Sequence, residues 1–270
     1  MKVYFIGSAG LLTKCAALVE EKYGPNAEVI VFDVKKSGLT KAEIFEVLEE
    51  ETEPSFVFSI NNPYIIPKRI CEKKELTLVN LHHSLLPLHP GRNGEAWTIY
   101  SGDECGGITW HMLTAGVDAG NIICQRSVKI EESTTSMVLL RQCEQMAIDS
   151  FKDTIMPLEE LIHKPMKKQE KREKVNFASD RPNGGVYDLT WNVGRGLSFL
   201  NAMNYGILNV LGIPEIKYQN KNYAIANYKY SKEGTNNPNT VYHKENNKEY
   251  LEISDQTGTL KLQIKERDNI

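Results

Sequence analysis

The chain has 270 residues, 41% of them hydrophobic and 25% charged, with a formal net charge of −3. This is the composition of a soluble globular protein, large enough for one large domain or for a domain plus a small appendage. It lacks the strongly basic balance that a partner held mainly by phosphate contacts, such as tRNA, calls for, and no stretch approaches the length needed to span a bilayer.

In chain order, residues 3–6 form a short apolar run, read as a strand ending at Gly7-Ser8-Ala9-Gly10. That run is too short for the apolar core of a signal peptide. Leu11, Leu12, Cys15, Ala16 and Val19 then recur at helical spacing. Residues 28–32 read as a second strand, 41–50 as a helix with Ile44, Val47 and Leu48 on one face, and 55–60 as a third strand broken by Asn61-Asn62-Pro63. Residues 76–81 read as a fourth strand. Residues 95–102 read as a helix, 107–113 and 121–130 as strands, and 136–162 as one long amphipathic helix. The alternation predicts a Rossmann-like α/β fold, a mostly parallel sheet flanked by helices.

Composition shifts at 163–174, where Lys164, Lys167, Lys168, Lys171, Arg172 and Lys174 stand among almost nothing apolar. The run reads either as a solvated linker or as a basic contact for an anionic ligand. Beyond it lies a smaller α+β or β-rich C-terminal domain, helical over 188–205, with strands at 223–230, 249–253 and 259–264 and a loop tip at Asn236-Asn237-Pro238-Asn239. The expected division is 1–165 for the main domain, 166–176 for a linker and 177–270 for the small domain. The cysteines (Cys15, Cys71, Cys105, Cys124 and Cys143) form no C-x-x-C pair, and no Cys/His/carboxylate set has metal-ligand spacing. Cys15, Cys124 and Cys143 read as small core residues. No metal is expected, and a reducing cytoplasm is the expected location.

Chemistry concentrates in Asn80-Leu81-His82-His83-Ser84-Leu85-Leu86-Pro87 and Gly116-Val117-Asp118-Ala119-Gly120. Strand alternation puts Asn80 and His82 on one face, at the carboxyl end of a strand where open α/β sheets place their ligands. An amide donor, an imidazole and a carboxylate suit transfer of an acyl carbon onto an amine. Charge builds on the carbonyl oxygen while a proton leaves the nitrogen. Singly, each residue has a structural reading: a strand-end cap for Asn80, a structural partner within the His82-His83 pair, and an Asx turn for Asp118.

The combination N-x-H-x-S-L-L-P, then Gly91, then V-D-A-G-x-I-I resembles the folate-dependent formyltransferases over residues 1–165. The resemblance implies transfer of a formyl group from N10-formyltetrahydrofolate, with Asn80, His82 and Asp118 as the catalytic trio. It also implies a main-chain grip on the pterin by Tyr64, Ile65 and Ile66 before Pro67, and by Thr114, Ala115, Gly116 and Val117 before the aspartate. Gly91, Arg92 and Asn93 match a loop beside the substrate amine, and Gly7 and Ser8 match a turn near the amine substrate and its phosphate. Against these stand plain readings: core side chains for Ile65 and Ile66, and a solvated arginine for Arg92. Ser84 is expected to support its loop through backbone hydrogen bonds. His111, seven residues before Asp118, is read as a strand histidine facing the core and is left outside the catalytic set.

Arg181-Pro182-Asn183-Gly184-Gly185, Asp188-Leu189-Thr190-Trp191 and Arg195-Gly196-Leu197 look like the start of the small domain of methionyl-tRNA and sugar formyltransferases. The preferred substrate is the amine of a nucleotide-linked amino sugar. The alternatives are methionyl-tRNA, an amino acid or carrier-bound peptide precursor and, outside enzymes, a folate-binding protein without transferase activity. Exposed strand edges in the small domain offer a way for two copies to pair as a homodimer.

Overall fold

The computed structural model describes residues 1–8, 10–169 and 174–267. The chain divides into two compact units. The first comprises Met1–Gly94, Gly106–Val128 and Leu140–Ala178, and the second Glu95–Cys105, Lys129–Leu139 and Ser179–Ile270. Neither unit is continuous in the chain.

The first unit is built on a sheet of six strands, β1 (Lys2–Gly7), β2 (Glu28–Asp33), β3 (Ser55–Ile60), β4 (Leu76–His82), β5 (Cys105–Met112) and β6 (Ile122–Lys129), in the order β2-β1-β3-β4-β5-β6. β1 runs parallel to β2 and β3, β3 parallel to β4, and β5 antiparallel to β4. The central strands are apolar on both faces because both are covered. On one face Tyr4 and Ile6 pack with Ile44, Phe45 and Leu48 of α2 (Lys41–Glu50). On the other, Phe5 and Phe58 meet Phe151, with ring centroids 6.1 and 5.3 Å from it, and Trp110 adds to the cluster at 5.6 Å. Helix α2 starts where Thr40 and Glu43 form a reciprocal capping box. Helix α1 (Gly10–Tyr23) buries the Leu11, Leu12, Cys15, Ala16 and Val19 stripe. Two further short helices are α3 (Lys68–Cys71) and α4 (Gly94–Ser101).

The long helix expected over 136–162 is interrupted. Helix α5 (Ser136–Ser150) passes into a wider π-type turn at Phe151–Ile155, and a short α6 (Leu158–Leu161) restarts after Pro157. Proline has no N–H to donate and clashes with the preceding turn, so the apolar periodicity runs on while the hydrogen-bond ladder cannot. Of the basic run, Lys171 and Arg172 lie outside the described residues, as does Ala9 of the first glycine turn. Lys167 exchanges main-chain hydrogen bonds of 2.8 and 2.9 Å with Ile122, so this part of the expected linker is docked on β6.

The second unit carries a sheet in the order β10-β11-β12-β9-β8-β7. Its strands are β7 (Val186–Tyr187), β8 (Glu215–Tyr218), β9 (Lys221–Ser231), β10 (Asn239–Glu245), β11 (Lys248–Asp255) and β12 (Gly258–Glu266). All neighbouring pairs are antiparallel except β7 with β8. Helix α7 (Val193–Met203) buries Leu197, Phe199 and Leu200. It starts later than the periodicity suggested. Asp188 is used in a turn to the Thr190 N–H, Asn192 caps the helix, and the Asp255 carboxylate accepts the Val193 N–H at 2.6 Å. β10 has no apolar alternation to announce it, being an edge strand of mainly polar residues.

Candidate active site

β4 is extended to its last residue, so Asn80 and His82 share a face, and the antiparallel register sets Asn80 opposite His111 and His82 opposite Thr109. Asn80 Nδ2 lies 3.1 Å from His111 Nε2 and 3.4 Å from Asp118 Oδ1. His82 Nδ1 lies 3.4 Å from Asp118 Oδ2, and His111 Nε2 lies 3.4 Å from Oδ1. The Gly91 N–H donates to Asp118 Oδ2 at 2.7 Å. The three residues singled out in the sequence therefore meet around one carboxylate, and His111 joins them.

His82 is 6% exposed. Its Nε2 is 2.9 Å from the His89 carbonyl oxygen while its Nδ1 faces Asp118. Each ring nitrogen thus looks at an acceptor: the neutral ring satisfies one of them and the protonated ring both. Burial holds the His82 pKa below the ordinary imidazole range in spite of the Asp118 carboxylate, so the resting ring is neutral. Burial by itself would raise the pKa of Asp118. The His82 and His111 imidazoles and the Gly91 amide overcome it and hold the carboxyl ionised, well below the usual carboxylate range. His111 Nδ1 sits 2.9 Å from the Met112 carbonyl oxygen, and Nε2 faces both the Asn80 amide and Asp118 Oδ1; with the ring proton on Nδ1, Nε2 accepts from Asn80, and with a proton on Nε2 the ring donates to the carboxylate.

The turn after His82 is tied from inside. Ser84 Oγ donates to the Leu88 carbonyl at 2.6 Å, and Thr109 Oγ1 donates to the Ser84 carbonyl at 2.7 Å and accepts the Leu86 N–H at 3.0 Å. Gly91 has φ +99°, and a Cβ there would lie 2.1 Å from the Asn176 carbonyl oxygen. Only glycine fits. The Arg92 N–H donates to that same carbonyl at 2.8 Å, while the Arg92 guanidinium donates to the Pro63 carbonyl at 2.8 Å. Arg92 thus bridges two loops, and Asn93 follows at φ +59°.

The expected main-chain grips lie at the ends of β3 and β5. Tyr64 and Leu113, which precedes Thr114, are packed against the same cluster as Ile66. The Tyr64 N–H is engaged by Asn62 Oδ1 at 2.9 Å, Ile66 is buried, and Ile65 is 69% exposed. In the second segment the Gly116 carbonyl accepts from the Ala119 N–H and the Thr114 hydroxyl, and Val117 is exposed. At the end of β1, following Gly7, the Ser8 hydroxyl donates to the Asn61 carbonyl at 3.1 Å, tying two strand ends together. The hydrogen bonds of Gly7 and Ser8 run to the ends of β2 and β3 and not to the Asp118 cluster. Among the described residues no grouping of His, Cys, Asp or Glu could hold a metal ion.

A mostly parallel α/β sheet with a half-buried amide, a buried imidazole and a largely enclosed carboxylate at a strand's carboxyl end defines a Rossmann-like protein with a polar centre at that end. The sequence matches the formyl transferase family model over residues 13–154, and the chain belongs to that family. GDP-perosamine N-formyltransferase of Brucella melitensis is 30% identical over 167 residues, 62% of this chain and 63% of that one. Methionyl-tRNA formyltransferase of Malacoplasma penetrans is 27% identical over 201 residues, 66% of this chain and 62% of that one. The chain therefore matches less than two thirds of the length of these relatives. Among solved structures, the N-formyltransferase from Helicobacter canadensis, in complex with folinic acid and dTDP-3-aminofucose, shares the fold with a TM-score of 0.73 and 16% identity. The match covers 98% of this chain and 100% of that one.

Proposed function

We propose that the protein transfers a formyl group from N10-formyltetrahydrofolate to the amine of a nucleotide-linked amino sugar. The observation that carries the reading is the Asp118 carboxylate standing 3.4 Å from His82 Nδ1 and 3.4 Å from Asn80 Nδ2. The folate supplies the formyl carbon as an amide-like carbonyl. Asn80 presents an N–H to the charge that develops on the carbonyl oxygen, giving up its longer contact with Asp118 to do so. His82, neutral at rest, takes the proton that leaves the attacking amine, and Asp118 stabilises the imidazolium; that proton is then delivered to N10 as the C–N10 bond breaks and tetrahydrofolate leaves. His111, through Nε2, keeps the Asn80 amide turned toward the site.

The exposed Ile65 and Val117 side chains stand on segments anchored in one core cluster, and we assign them to the apolar faces of the pterin, with main-chain groups for its polar edge. Tyr64, whose N–H is already engaged, would contribute its ring or carbonyl. The chemistry is assigned to residues 1–165, with 177–270 as an accessory domain and 166–176 joining them. The sugar-nucleotide reading is supported by the relative that acts on GDP-perosamine and by the net charge of −3, which suits a small anion better than an acceptor stem. The five free cysteines are in keeping with the cytoplasm, and the free edge of β10 offers a seam for a homodimer. The test is transfer from N10-formyltetrahydrofolate to GDP- and dTDP-linked amino sugars, beside charged initiator tRNA, free amino acids and carrier-bound peptide precursors. Turnover of one sugar nucleotide is expected, and turnover of the tRNA alone would reject the assignment.

A further inference from the structure

Asp118 holds a left-handed backbone, φ +46°, without being glycine. Such a conformation persists only where its surroundings impose it. Its carbonyl and the Gly120 carbonyl both accept from the carboxamide nitrogen of Gln169, at 2.9 and 2.7 Å. On its other side the loop is pressed onto β5, since a Cβ on Gly120 would lie 1.7 Å from the Met112 carbonyl oxygen. Gln169 is itself placed by the antiparallel Lys167–Ile122 bridge two residues earlier, which leads the docked segment past the start of β6 toward residues 118–120. The carboxylate's main-chain donor is held from the same stretch of chain. Gly91 pairs with Asn176, whose N–H donates to the Pro90 carbonyl at 2.8 Å.

We infer that Gln169 is a positioning residue for the formyl transfer read above: its carboxamide, by gripping two carbonyls of the Asp118 loop, fixes where the carboxylate stands against His82. Among the described residues Gln169 makes no hydrogen bond with His82, Asn80 or His111; it acts through Asp118. The inference rests on the formyl-transfer reading.

The substitutions that test it are Gln169→Ala, which deletes the carboxamide, and Gln169→Glu, which keeps its size and sets acceptor oxygens against two carbonyls. A loosened carboxylate costs preorganisation, so kcat is expected to fall on the order of ten- to a hundredfold in both variants. KM for the formyl donor should stay within about threefold. The groups facing His82 are Asp118, His111 and His83, together with the His89 carbonyl. Only the first moves, so the imidazole should titrate at lower pH, read from the acid limb of kcat/KM and from 15N-imidazole NMR of His82. Both variants within twofold of wild type in kcat, with His82 titrating unchanged, would overturn the inference, as would a loss accounted for wholly by unfolding at the assay temperature. If His82→Ala and Asp118→Asn lower kcat by about a hundredfold while the Gln169 variants stay within twofold of wild type, the inference alone falls. If those two variants also keep more than about a third of wild-type kcat, the formyl-transfer reading falls first. The NMR titration tests the grip of Gln169 whether or not the acceptor is known.

Discussion

Replacing Asp118 by asparagine removes one charge while keeping the shape of the side chain. The carboxylate is 3.4 Å from His82 Nδ1, and its side chain is 11% exposed. At an effective dielectric of about 20, two unit charges at that separation attract by roughly 5 kcal/mol. The attraction is small while burial keeps the ring neutral and is realised once the ring takes a proton. It therefore lowers the energy of the protonated state more than that of the resting one, and only such a difference accelerates a step. An amide oxygen still accepts the Gly91 N–H and keeps a dipole toward the ring. If about half of the attraction survives, roughly 2.5 kcal/mol is lost, which is nearly a hundredfold in kcat. The assay is the absorbance change as formyltetrahydrofolate becomes tetrahydrofolate, with whichever amino-sugar nucleotide the wild type accepts. The acid limb has a defined direction as well. Asp118 raises the pKa of His82 against the larger effect of burial. Its loss lowers that pKa further, so the pH at which activity falls away moves down. A variant with more than about a third of wild-type kcat, or an acid limb shifted to higher pH, would refute the role given to the carboxylate.

Away from the site, Glu51 is buried and accepts from the Tyr4 hydroxyl at 2.5 Å, from the Thr52 and Glu53 N–H groups at 2.9 and 3.0 Å, and from Lys2 at 3.0 Å. The Tyr4 hydrogen bond, ahead of the others, lowers its pKa from 4.5 to about 2. The folded value lies below the unfolded one, so the stabilisation is present above pH 4.5 and is lost as pH falls toward 2. Glu51→Gln should cost about 2 kcal/mol in urea unfolding at neutral pH and flatten the acid side of a stability-versus-pH curve; an unchanged acid slope would count against it. Gly91→Ala puts a methyl group 2.1 Å from a carbonyl oxygen at positive φ. The loop must move and take its N–H off Asp118, so at least a tenfold loss of kcat is expected, with about 1–3 kcal/mol of destabilisation by denaturant titration. His111→Ala frees the Asn80 amide to turn and should lower kcat roughly tenfold, whereas His111→Gln, which restores an acceptor, should recover part of the loss; no difference between the two would remove His111 from a positioning role.

Much of this molecule could be read from its residues because the relevant information is local. Apolar runs and helical spacing mark β1, β3 and α2 to within a residue or so, and the period of a strand puts Asn80 and His82 on one face. The short motifs around them named the carboxylate that belongs with them. Where local rules compete, the sequence was ambiguous: apolar spacing continued through Pro157 while the hydrogen-bond ladder stopped, and β10 was hidden because an edge strand needs no apolar alternation. What tertiary structure alone decided is the company the three side chains keep. His111 is drawn in by the register of β5 on β4, the Gly91 amide is a backbone donor with no side-chain signature, and Gln169 comes from a stretch whose lysines read as solvated chain. Such contacts join residues tens of positions apart through main-chain groups that every residue carries, so no residue type or spacing announces them, and only the folded chain brings them to Asp118.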